Sequence, residues 1–246
     1  MSDKSAFHPL LPNEEERYKP ISADLTCRKC GKKSKVQLRA CVNVSLHPEE
    51  KEQILNGSFF KFTCPDCGEQ VSIMYPCLYD DMSLALMVYL LPDDTEDALE
   101  KMNAQQDKWS PEMLKAAMVC TMRAVRNTNE LCEKIKIFDN GLDDRYIELT
   151  KAFVFSQFAK QNPDIKVLQV LYERKDGKDG FVIITKDEKT LFAEIPEGLY
   201  DEIIRLFKDV IPKKKTEYEL IDAGWTMKIL ESRNPNAVKD APQSEE

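Results

Sequence analysis

Cys27-Arg28-Lys29-Cys30-Gly31 and Cys64-Pro65-Asp66-Cys67-Gly68 decide how this chain is read. These two Cys-x-x-Cys-Gly units, with 33 residues between Cys30 and Cys64, supply four thiolates. Two cysteines with two residues between them, on a tight turn, can aim both sulfurs at one ion. The glycine that follows accepts the positive φ that such a turn requires. Four cysteines fill a tetrahedral zinc site and leave no position for water or substrate. The spacing therefore predicts one structural Zn2+ on Cys27, Cys30, Cys64 and Cys67. A redox reading competes, because Cys64-Pro65-Asp66-Cys67 has the form of a thioredoxin-type dithiol, which sits at a helix start. Here Gly68 and the alternating Val71, Ile73 and Tyr75 point to a strand instead. Four unrelated buried thiols are the remaining alternative.

Outward from the knuckles, Val36, Leu38, Ala40, Val42, Val44 and Leu46 share one parity, which predicts one long, half-buried strand with a bulge or bend. His47-Pro48 opens a short helix, with Glu49, Glu50 and Glu52 near its positive end and Gly57 as its stop. Strands are expected at Phe59–Thr63, Val71–Tyr75 and Leu84–Leu91. Together these make a zinc ribbon with a helical insertion.

The stretch from Cys27 to about Pro92 resembles the bacterial CpXC domain, a zinc-ribbon-like family named for its Cys-Pro-x-Cys motifs. The matching pieces are Cys27/Cys30, Val42-Asn43-Val44, Pro48, Gly57, Phe62, Cys64-Pro65-Asp66-Cys67-Gly68, Tyr79-Asp80-Asp81 and Pro92. The resemblance continues through Glu133-Lys134-Ile135 and Gly141-Leu142-Asp143-Asp144. Arg28 stands where the family name implies proline. Proline is not a ligand, so this departure touches knuckle rigidity and not metal binding. The resemblance implies no enzymatic activity.

Further along, Ser110-Pro111 starts a helix on which Met113, Leu114, Ala117, Met118, Thr121 and Val125 recur at helical spacing. A second helix spans about Thr128 to Phe138 and ends at Asn140-Gly141. A third is capped by Asp143 or Asp144 and stops before Pro163. Three such helices are expected to pack as a bundle or across the ribbon's sheet. Strands follow from Ile165, with Asp176-Gly177-Lys178-Asp179-Gly180 as a hairpin turn, then a helix after Pro196. The element around Ile221 and Trp225 reads as either helix or strand.

The expected class is α+β: an N-terminal four-cysteine zinc ribbon with a helical insertion, a helical middle, and C-terminal antiparallel strands plus a helix. The expected divisions are a poorly ordered leader (1–22), the ribbon (23–93), a helical region (94–163), a strand–helix region (164–232) and a disordered tail (233–246).

A net charge of −8 argues against a general nucleic-acid or anionic-membrane binder. No signal-like or membrane-spanning apolar run is visible, which places the protein in the cytoplasm, where thiolates bind metal rather than form disulfides. Arg28, Lys29, Lys32, Lys33, Lys35 and Arg39 have no acid among them. They suggest a nucleic-acid-facing ribbon, or simply local balance for a site of formal charge −2. Cys41, Cys77, Cys120 and Cys132 read as packed thiols. Asp80-Asp81, Asp93-Asp94 and Asp143-Asp144 read as turns and caps before they read as cation ligands. With two histidines and no catalytic motif, the sequence offers an enzyme no starting residues. The expected role is a non-enzymatic zinc-ribbon module whose partner is a protein. A nucleic-acid-binding ribbon on Arg28–Arg39, a thiol-based zinc/redox switch and an enzyme remain the alternatives.

Overall fold

The computed structural model describes residues 18–92, 95–104 and 109–233. Most of the expected leader and tail, His8 and the Asp93-Asp94 pair lie outside the described residues. The chain divides into two compact units: residues 1–132 with 215–219, and residues 133–214 with 220–246.

In the first unit, β1 (Ile21–Thr26) pairs antiparallel with β2 (Lys33–Leu38), and the first knuckle is the tip of this hairpin. β1 has no counterpart in the sequence reading, which placed a leader up to residue 22. The expected long strand stops at Leu38. It resumes in a different sheet as β3 (Cys41–Asn43), where Cys41 and Val42 are both buried. Leu46, expected on the buried face, is 61% exposed.

The helix after His47 forms as expected, as α1 (Pro48–Leu55), with Gly57 just past its end at φ +75°. β4 (Lys61–Thr63) and β5 (Gln70–Ser72) make a second hairpin whose tip is the second knuckle. β6 (Cys77–Asp81) and β7 (Leu86–Leu90) are buried at every position. They form the centre of a four-stranded sheet ordered β3-β6-β7-β8. Burial on both faces removes the alternation that betrays a half-buried strand.

β8 (Thr121–Val125) overturns one helical expectation. The helix that starts at Pro111 ends at Val119, and Thr121 to Val125 pair parallel with β7. The sheet offers β8 a ladder and a dry place for Met122, Ala124 and Val125, which outweighs the helical spacing of these apolar residues. α2 (Thr95–Asn103) and α3 (Pro111–Val119) also belong to the first unit. Returning residues 215–219 complete this core. Tyr218 is buried among Tyr89, Trp109 and Met122, and Asn103 bonds both its N–H and its carbonyl.

α4 (Thr128–Asp139) contains the boundary between the units and ends at Gly141, φ +69°. In the second unit, α5 (Asp144–Gln161) is capped by Asp143, whose carboxylate accepts the Arg145 N–H. β9 (Val167–Lys175), β10 (Lys178–Thr185) and β11 (Thr190–Glu194) form an antiparallel sheet in the order β11-β10-β9. Asp176 and Gly177 turn the β9–β10 hairpin with φ of +52° and +78°, the two positive values of a type I′ turn. Glu133 accepts the Tyr172 N–H, and Lys136 pairs with Glu173 at 2.5 Å, so α4 covers the free edge of β9. α6 (Leu199–Phe207) and α7 (Ala223–Arg233) pack on α5 around Leu149, Ile203, Phe207 and Ile229. The element around Trp225 is therefore a helix.

Candidate metal centre

Each knuckle is built by the same two backbone bonds. In the first, Cys27 N–H donates to the Lys32 carbonyl and Gly31 N–H to the Cys27 carbonyl, both at 2.9 Å. In the second, Cys64 N–H donates to Glu69 at 2.8 Å and Gly68 N–H to Cys64 at 2.9 Å. Gly31 and Gly68 have φ of +72° and +71°, a conformation that a Cβ would strain. Two like turns, each held by its own hairpin, thus face one another.

The four sulfurs all lie within 4.8 Å of one another. Cys27 Sγ is 3.6 Å from Cys67 Sγ, and Cys30 Sγ is 3.7 Å from Cys64 Sγ. A disulfide would bring two sulfurs to about 2.05 Å. A tetrahedron with metal–sulfur bonds of about 2.3 Å has edges of about 3.8 Å. The observed separations match the tetrahedron and exclude a bonded pair. The structure therefore brings together all four cysteines that the sequence singled out. Cys27 and Cys64 are buried, Cys67 is half-buried and Cys30 is exposed.

The electrostatics also favour a cation. The backbone amides of Cys30 and Lys29 point at the Cys27 sulfur and hold its thiol down to about 7. The Glu69 amide favours a thiolate at Cys67, but burial and the neighbouring thiols push that group up to about 12. One sulfur ionises readily and the next resists, because negative sulfurs packed together repel. A cation among them removes that opposition.

The basic stretch around the first knuckle is partly spoken for. Lys29 pairs with Glu69 at 2.9 Å, Lys32 with Asp66 at 2.5 Å, and Arg39 with Glu50 at 2.8 Å. Two of these pairs join one knuckle to the other.

The other cysteines stand apart from the cluster, as expected. Cys41, Cys77 and Cys120 are buried, and burial pushes the Cys77 thiol well above its usual value. Cys132 donates to the Ile54 carbonyl. Of the acidic pairs, Asp81 is fixed by Tyr79, Ser83 and Lys51 at the turn between β6 and β7. Asp143 caps α5, while Asp144 is buried against Lys134 at 3.0 Å.

Two groups escaped the sequence reading. One is the second unit's buried ionic network, in which Lys151 lies 2.7 Å from both Glu133 and Glu148. The available signal was a set of charged residues recurring on the faces that α4 and α5 turn inward. The other is a cluster of His47, Glu49 and Glu50 at the start of α1.

Residues 25–151 match a family model described as CpXC protein. The chain belongs to this family. Both knuckles, the four-stranded sheet and the Lys134–Asp144 pair fall inside the matched stretch. No curated protein matches the chain, and no solved structure does. Among the described residues, no helix is long and apolar enough to cross a membrane.

Proposed function

We propose that the CpXC cysteines Cys27, Cys30, Cys64 and Cys67 hold one structural zinc ion, and that the two hairpins they join form a zinc ribbon in a non-enzymatic, cytoplasmic interaction module. The carrying observation is the sulfur arrangement, with edges of 3.6 and 3.7 Å. Four soft thiolates in a tetrahedron suit zinc, and they leave the ion no open position for catalysis.

The proposed partner is a protein. Leu114 and Met118 stand one helical turn apart on α3 and are 45% and 75% exposed, with Val119 exposed beside them. An outward apolar row that includes a flexible methionine suits a partner's apolar surface. The sequence had placed Leu114 and Met118 on one helical stripe.

The test is metal content and thiol reactivity of protein purified without added metal. About one zinc per chain, with four thiols released only on chelation, supports the reading. A metal-free protein whose Cys64 and Cys67 react as a pair overturns it in favour of dithiol chemistry.

A second reading, a switch in which oxidation releases zinc, is favoured by the exposure of Cys30. An oxidant reaches that sulfur before the buried Cys64. Reversible zinc release by mild peroxide, with Cys30 the first thiol found oxidised by mass spectrometry, supports the switch, and inert thiols reject it.

A further inference from the structure

α1 opens with three potential ligands close together. His47 Nδ1 lies 3.4 Å from Glu49 Oε1. One ligand atom each from His47, Glu49 and Glu50 lies within 4.8 Å of the other two. His47 occupies the N-cap position but makes no capping bond with its side chain.

Glu50 supplies the independent observation. It is 5% exposed. Its Oε1 is taken by Arg39, while its Oε2 is buried with no hydrogen-bond partner. A buried carboxylate oxygen left bare is costly, so the arrangement asks for something opposite it. The Glu49 and Glu50 carboxylates bring a formal charge of −2. Arg39 returns +1 and the helix end about +0.5, so the cluster remains net negative.

We propose that His47, Glu49 and Glu50 form a second metal site for a divalent first-row transition ion. The imidazole and one oxygen from each carboxylate bind the ion, and water completes its coordination. This nitrogen-and-oxygen donor set is harder than four thiolates, so it selects differently among ions and keeps open positions that the cysteine cluster lacks. Such a site could bind a further anionic or neutral oxygen ligand through its metal.

The test is titration of the full-length chain with Mn2+, an ion that avoids thiolates. Uptake then does not depend on the cysteine cluster, and the two metal proposals fail separately. Electron paramagnetic resonance counts bound Mn2+, and broadening of the imidazole proton signals locates it. With only two histidines in the chain, those signals are readily assigned. The expected result is one saturable equivalent that broadens the His47 ring, with affinity reduced at least tenfold in His47→Ala and in Glu49→Gln. Both residues lie at the surface, so these variants keep the fold. The exposed Glu52→Gln retains uptake. Absence of saturable uptake up to millimolar Mn2+, uptake unchanged in both variants, or equal loss in Glu52→Gln overturns the proposal.

Discussion

The Cys27 and Cys67 sulfurs stand 3.6 Å apart although 40 positions separate them in sequence. The β1–β2 and β4–β5 hairpins are short, and an isolated two-stranded hairpin is marginal in water. On the proposed reading the zinc ion is what ties them together, alongside the Lys29–Glu69 and Lys32–Asp66 pairs. Cys67→Ser and Cys64→Ser are therefore each expected to lose zinc and melt both hairpins. Structural zinc contributes about 10–16 kcal/mol in small zinc domains, far more than two such hairpins possess. Metal analysis alongside thermal unfolding checks this: full zinc content with native melting in either variant would sink the ribbon.

In the second unit, Lys151 pairs with both Glu133 and Glu148, and Lys134 lies 3.9 Å from the same Glu148 oxygen. Burial alone would push the Lys151 ammonium down, but the two carboxylates carry it well above its usual value. Lys151→Met leaves buried carboxylates without their nearest cation and is expected to cost about 3–5 kcal/mol. Replacing Glu133 and Glu148 by glutamine in the same chain is expected to recover much of that loss, because the stranded charges disappear with it. Urea unfolding of the single and triple variants measures both. A single variant as stable as the parent would show that the network contributes nothing.

Legibility in the sequence followed the distance over which each interaction acts. The knuckles were readable because a turn, two sulfurs and a glycine lie within five residues. The β9–β10 hairpin was readable from Asp176-Gly177 and the alternation beside it, and α5 from its Asp143 cap. β8 was not, because Thr121, Met122, Ala124 and Val125 satisfy helical spacing as well as strand pairing, and the deciding partner is a parallel strand more than thirty residues earlier. β6 was obscured by burial on both faces. Within the candidate site, the ligands could be named from sequence. The Lys29–Glu69 and Lys32–Asp66 pairs that join the knuckles could not, since nothing local distinguishes these lysines from Lys33 or Lys35.

Asp81 gives the first unit a dependence on acid. Burial alone would raise its carboxyl, but bonds from Ser83, Lys51 and Tyr79 hold it below its ordinary value of 3.8. A carboxyl lowered on folding stabilises the folded state fully above its unfolded value, and that contribution is lost as pH falls through the folded one. Asp81→Asn keeps the shape and removes the charge. It is expected to cost about 2 kcal/mol near neutrality. The gap between parent and variant should narrow below 3.8. Unfolding of both proteins across the acid range tests the sign: a gap that widens on acidification contradicts this assignment.

Gly180 reports on the packing of the second unit's sheet. It is buried on β10 opposite Glu194, and the Phe192 ring of β11 lies across it. Its φ is not in the left-handed region, so backbone conformation does not demand glycine there; space does. A Cβ at this position would run into the Phe192 ring and approach the Ala193 carbonyl oxygen to 2.7 Å. The ring can swing away, whereas the carbonyl belongs to the strand ladder and cannot. Gly180→Ala is therefore expected to destabilise the second unit by about 1–3 kcal/mol, the usual cost of overfilling a packed site. Adding Phe192→Ala should recover only part of that, because the carbonyl contact remains. Hydrogen exchange at β10 and β11 amides separates the cases. Faster exchange confined to these strands in Gly180→Ala fits the steric account, whereas full rescue by Phe192→Ala would place the whole conflict in the ring.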